Sequence, residues 1–177
     1  MAKADSTPLH KLITSLVTRV AFFFYWIFDN LLIMNKLKVF QRTDLKTIQY
    51  RWAICWTIAN FSSIIGAIIE LVQITKKEAK LMAQKVILQS DSQPEGKSSK
   101  VSQMDDIRQQ QADLGQQRFD QTLVLIKTLG DSITSTQSLG WPKHYLGYEF
   151  NDGLVGIGGF TSACITCYQL YPAKKSK

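Results

Sequence analysis

Few side chains in this chain have the type and spacing that does chemistry. Cys164 and Cys167 stand in a C-x-x-C arrangement, which serves redox exchange or metal binding when a histidine, an acid or a polar surround accompanies it. Both lie in an apolar run with none of these nearby, and so does Cys55. Three cysteines without a secretory leader also argue against a disulfide framework. The two histidines, His10 and His144, sit far apart in polar stretches, and no nucleophile stands beside a base. The run GLVGIGG from Gly153 lacks the lysine of a phosphate loop and the preceding strand of a dinucleotide fingerprint. Neither an enzyme nor a bound cofactor or metal is expected. What remains is a small set of polar residues in apolar surroundings: Arg19, Asp29, Asn30, Asn60 and Glu70. In such a setting they mark helix contacts, an ion path or a proton site.

The elements that carry them are apolar helices. Composition is 45% hydrophobic and 20% charged, but the average hides a segregation. Apolar residues gather in 12–40, 52–74 and 153–171, while charge, Gln and Ser gather in 75–121. The spacing predicts a helix over 9–40, with Pro8 at its first position. Phe22, Phe23, Phe24, Tyr25, Trp26 and Phe28 crowd one stretch of it. At 100° per residue, Arg19, Trp26, Asp29, Asn30 and Lys36 fall within roughly a third of its circumference. An Asp facing lipid near a bilayer centre costs roughly 2.5–3.5 kcal/mol on insertion scales. That stripe should therefore face other helices, water or headgroups. The helix either packs in a bundle or lies in the interface.

The run 52–74 is the cleaner span, long enough at about 1.5 Å per residue to cross a roughly 30 Å core. Thr43 or Asp44 can cap its start. Asn60, Ser63, Ala67 and Glu70 share one face, and Ala59, Ser63, Ala67 and Ser62, Gly66 form small-residue ladders for close helix approach. A charged helical extension follows to 86. Residues 87–104, with Pro94 and Gly96, read as a flexible loop. An amphipathic helix is expected over 105–139, with Gly115 a point at which it can break, and with Phe119, Leu123, Ile126 and Ile133 on its apolar face and Gly130 beside them. It either packs on the membrane helices or lies on a membrane. Leu139-Gly140-Trp141-Pro142 should stop it. Trp141, Tyr145, Tyr148 and Phe150 resemble an interfacial belt. Asn151-Asp152 then caps a charge-free span, 153–171. There Gly158, Ser162, Thr166 and Gly159, Ala163, Cys167 form two further ladders, with Gly156 nearby. The expected architecture is an all-α integral membrane protein with two to three membrane helices and an amphipathic helix after a flexible loop. Its parts are 1–86, the loop 87–104, and 105–177.

The net charge is +7. No compact basic block with interleaved aromatics is present, so nucleic acid is not the expected partner. Basic residues beside apolar runs suit anionic lipid headgroups. Basic residues flank 52–74 on both sides, so charge does not orient it.

In order and spacing, Phe28-Asp29-Asn30-Leu31, Leu139-Gly140 and Asn151-Asp152-Gly153-Leu154-Val155-Gly156 through Tyr171-Pro172 resemble the peroxin-11 family of peroxisomal membrane proteins. The resemblance covers about 19–80 and 128–172. It implies a non-enzymatic protein with both ends in the cytosol that elongates and curves the peroxisomal membrane, self-associates, and promotes proliferation and division. Some relatives are linked to solute permeability. It also makes Lys174 and Lys175 a candidate dilysine tail. Relatives usually carry a further helical region before the aromatic run; here residues 1–18 precede it. The alternatives are a structural membrane subunit of a larger complex, with a mitochondrial membrane as the other location and other membrane proteins as partners, and a pore lined by the Arg19/Asp29/Asn30 and Asn60/Glu70 stripes. Ends on one side require an even number of spans. One of the three apolar runs should then lie in the interface, and Arg19 and Asp29 single out the first.

Overall fold

A computed structural model of the chain describes residues 9–39, 44–90 and 97–171. These residues are all-helical, without a sheet: α1 (Leu9–Lys36), α2 (Leu45–Ser90), α3 (Lys97–Ser138), a single π-helical turn (Pro142–Leu146) and α4 (Asp152–Leu170). The candidate dilysine tail, Lys174 and Lys175, lies outside the described residues.

Local chemistry accounts for the helix ends. Past α1, Lys38 takes a left-handed conformation with φ of 58°, and the Val39 N–H reaches back to the Met34 carbonyl at 3.0 Å, a Schellman-type closure. The Asp44 carbonyl accepts the first bonds of α2, from Thr47 and Ile48, which places Asp44 at the N-cap. Gly140, at φ of 70°, ends α3 at the expected stop, and Pro142 opens the π turn. Asn151 caps α4 by accepting from the Leu154 N–H at 2.7 Å, with Asp152 in the first turn against the helix dipole.

Two expectations change. Gly115 does not interrupt α3, and the stretch expected as a loop over 87–104 is helical up to Ser90 and again from Lys97. The reason is an aliphatic spacing that composition masks. Leu81 and Leu88 on α2 are half-buried, and Ile107 and Leu114 on α3 are buried, each pair seven residues apart. Good helix formers in 75–90 and 101–118 do the rest.

Contacts divide the chain differently from the sequence boundaries. One compact unit comprises Met1–Gly66 and Val124–Lys177, the other Ala67–Leu123. The long helices α2 and α3 contribute to both. In the first unit α1 runs antiparallel along α2, with Thr14 beside Ser62 and Tyr25 beside Trp52 and Trp56. Helix α1 therefore packs lengthwise on α2 rather than lying apart from it. Helix α4 runs antiparallel to α3, with Gln137 beside Phe150 and Gly130 beside Gly158. In the second unit α2 and α3 form an antiparallel pair around Ile74, Ile107 and Leu114, with Glu78 paired to Arg118 at 3.5 Å.

Candidate membrane interface

The first unit is built inside out relative to a water-soluble domain. Its buried positions are mostly small or polar: Ala21, Ala53, Thr57, Ala59, Asn60, Ser62, Thr128, Gly130, Ser135, Gly158 and Ser162, with Ile48 and Pro142 the exceptions. Its large apolar side chains face outward, among them Leu16, Phe23, Phe24, Trp26, Ile58, Phe61, Ile65, Ile157 and Phe160. In water that surface would be a severe liability; in lipid it is the solvated face.

Three seams hold the helices. Between α1 and α2, the Ser62 hydroxyl donates to the Thr14 carbonyl at 3.1 Å, and Gly66 faces the Thr14 hydroxyl. The ladder of Ser62 and Gly66 thus serves α1. Further along, the Tyr25 ring meets Trp52 and Trp56, each at 5.7 Å between centroids, and the two tryptophan rings lie tilted against each other at 5.1 Å. Between α2 and α3, Asn60 and Ser135 are both fully buried, and the Asn60 amide donates to the Ser135 hydroxyl at 3.4 Å. The Asn60 carbonyl oxygen and the Thr57 hydroxyl have no partner. Between α3 and α4 the backbones touch: a methyl group added at Gly130 would lie 2.5 Å from the Gly158 carbonyl oxygen, and one added at Gly158 would lie 2.8 Å from that of Gly130. Only glycine at both positions permits this approach.

The predicted site residues separate into those these seams use and those they leave outside. Asn60, Ala67 and Gly158 are buried, as is Ser162, while Ser63, Gly66, Glu70 and Gly159 are half-buried. Gly156 and Ala163 face outward on α4, with open space around Gly156. The α1 stripe is not the packed face. Arg19, Trp26 and Asn30 are exposed and Asp29 is half-buried, while Thr14, Thr18, Ala21 and Tyr25 turn inward. The Asn30 amide donates to the Trp26 carbonyl of its own helix at 2.8 Å, which meets one of its N–H groups without a neighbouring helix. Arg19 and Asn30 therefore do not meet Asn60 around a common lumen. The expected apolar face of α3 is likewise not its buried one. Phe119 and Ile126 are exposed, Leu123 and Ile133 half-buried, and the covered line runs through Ile107, Leu114, Thr128 and Ser135. The eye follows large apolar residues, whereas close packing in lipid selects small ones. The heptad interval of that line was visible in the sequence; its residue types concealed it.

The connection between α3 and α4 carries the aromatic residues expected to form a belt. Trp141, Tyr145 and Tyr148 are exposed. Trp141, Pro142, Tyr145, Leu146, Phe150 and Thr136 line an open apolar hollow of about 280 Å³. Lys143 donates to Glu149 at 2.9 Å, and that bond holds its ammonium above the usual lysine range. Amphipathic rings beside a charged pair suit a headgroup region.

Three helices, α1, α2 and α4, are long and apolar enough to cross a membrane. Together with the outward apolar surface they define an all-helical membrane protein that contacts the bilayer. The chain belongs to the peroxisomal biogenesis factor 11 (PEX11) family, whose model matches residues 3–171. No curated protein and no solved structure matches it. The family is non-catalytic, and its membership places the protein in the peroxisomal membrane; nothing supports the mitochondrial alternative. Among the described residues no cluster of His, Cys, Asp or Glu is arranged to hold a metal.

Proposed function

We propose that this protein elongates and curves the peroxisomal membrane, and so promotes proliferation and division, by occupying more width at one depth of the bilayer than at another. The observation that carries the reading is the uneven placement of bulk in the first unit. Tyr25, Trp52 and Trp56 form one ring cluster, and Phe23, Phe24 and Trp26 project outward from the same turns of α1. Elsewhere the helices close to backbone contact at Gly130 and Gly158. An inclusion broad at one depth and narrow at another spreads one leaflet more than the other, which is the wedge action of inserted apolar side chains. Self-association would concentrate the effect, and the outward small residues Gly156 and Ala163 on α4 leave room for a second copy to approach.

Full-length protein reconstituted in vesicles containing anionic lipid should draw tubules visible by electron microscopy. The triple variant Phe23→Ala, Phe24→Ala, Trp26→Ala alters outward side chains and should leave helix content unchanged while tubules become several-fold fewer. Vesicles that stay spherical at every loading of the natural chain would defeat the proposal. Equal tubulation by the variant would remove these aromatics from the mechanism.

A further inference from the structure

We infer that residues 121–138 of α3 lie in the hydrocarbon of the bilayer as a crossing of their own, although they are too polar to be recognised as one from composition.

The first support is depth. Ser135 is fully buried and hydrogen-bonded to Asn60, which stands within the apolar run 52–74 of α2. Gly130 lies backbone to backbone against Gly158, within the charge-free stretch of α4 that follows Asp152. A helix segment that touches the interior turns of two membrane helices shares their depth. The contacts at Gly130 and Ser135 are about 7 Å apart along α3 at 1.5 Å per residue, so the segment runs alongside its neighbours instead of crossing them at one point.

The second support is the state of the hydroxyl groups that make the segment polar. Thr128, Ser132, Thr136 and Ser138 each donate to the carbonyl four residues back, at 2.8, 2.7, 2.6 and 2.9 Å. Thr122 does the same at 2.8 Å and Ser135 bonds the Ser132 carbonyl at 3.3 Å, which leaves Thr134 as the one hydroxyl in 121–138 buried without a partner. A hydroxyl that returns its proton to its own helix presents little unmet polarity to lipid. Composition counts it as polar nonetheless.

The third is what faces outward. Ile126 and Leu129 are the exposed large side chains of the segment. Its two charges, Lys127 and Asp131, are half-buried and one turn apart, so neither projects fully into lipid. Eighteen residues at 1.5 Å cover about 27 Å, close to a hydrocarbon core of roughly 30 Å.

With α1, α2 and α4 this makes four crossings. It requires that the exposed residues early in α3 and the connection between α3 and α4 lie on opposite sides of the membrane. An α3 lying on the surface would put both on the same side. The test uses the full-length chain with Cys55, Cys164 and Cys167 replaced by alanine, in intact membranes. A single cysteine is introduced by Ser102→Cys in one version and by His144→Cys in the other; both positions are exposed. A membrane-impermeant maleimide should label one version at once and the other only after permeabilisation. Labelling of both at once, or of both only after permeabilisation, would overturn the inference. Failure of either to react in permeabilised membranes would overturn it too, because the arrangement places both positions outside the hydrocarbon.

Discussion

The helices α2 and α3 bury a residue every seventh position in both compact units, yet what they bury differs. In the first unit the buried positions are Ala53 and Asn60 on α2 and Thr128 and Ser135 on α3. In the second they are Ile74 on α2, at the end of the apolar run, and Ile107 and Leu114 on α3, while Ala67, inside that run, keeps the small type of the first. The period is the same, and it is the period of a coiled-coil seam. The change in residue type follows the surroundings. Where water lies outside, burying aliphatic area drives association at about 25 cal/mol per Å². Where lipid lies outside, a leucine gains little by leaving one hydrocarbon for another, so packing distance and hydrogen bonds decide. Charged residues ring the second unit, including Lys77, Lys80, Asp106, Asp113 and the Glu78–Arg118 pair, and large apolar residues ring the first. One continuous pair of helices thus carries two packing codes.

The largest effect that would break this comparison is expected at glycine. Gly130→Val places atoms where the Gly158 carbonyl stands, so α3 and α4 must part. The variant should lose most of its folded, protease-resistant membrane form, read as a several-fold fall in steady-state level. Gly115 in the second unit has open space around its α-carbon. Gly115→Ala should leave the level unchanged or raise it, since alanine stabilises a helix interior by roughly 0.5–1 kcal/mol over glycine. If the two substitutions behaved alike, glycine would be serving propensity and not contact, and the distinction between the units would fail.

Next in size is the aliphatic seam. Ile74 is 1% exposed. Ile74→Ala should cost about 2–4 kcal/mol, the range of core truncations that leave a cavity. Protease cleavage should then appear within the second unit while the first stays resistant. Resistance of both units to cleavage after this change would mean that the second unit is not held by burial from water.

How much of this was legible in the sequence follows from the same contrast. Large apolar residues and end signals announce themselves. The three apolar helices, the Asn151 cap and the stop at Gly140 and Pro142 are all where the residues place them. Seams made of small and hydroxylated residues do not announce themselves. Thr128 and Ser135 look like the polar side of an amphipathic helix, and Phe119 and Ile126 like its covered side; burial is the reverse, and of the expected face only Gly130 is buried. In 75–118, Leu81, Leu88, Ile107 and Leu114 are diluted by Lys, Gln and Asp, and their interval of seven was lost beside Pro94 and Gly96. The polar stripe of α1 left its partner open for another reason: Asn30 spends one of its N–H groups on its own helix, which no pattern of types can reveal. Three apolar runs then forced one into the interface to keep the number of spans even. A crossing hidden in serine and threonine restores that parity without moving α1.

The smallest expected effect sharpens the comparison most, because it separates the units by salt. The Arg118–Glu78 pair spans 3.5 Å, with the arginine side chain 58% exposed and the glutamate 18%. Exposed pairs of this kind contribute about 0.2–1 kcal/mol and weaken as salt screens them. Glu78→Gln should therefore lower the second unit's stability by under about 1 kcal/mol at low salt and by less still at high salt. Asn60 and Ser135, fully buried and neutral, provide the control: Asn60→Ala should change stability by about 0.6 kcal/mol, the mean for such bonds between membrane helices, with no salt dependence. Site-resolved proteolysis across a salt series measures both. A salt-sensitive Asn60 variant would place water at the first unit's seam, and a salt-insensitive Glu78 variant would take it away from the second. Either result would erase the boundary between the two packing codes.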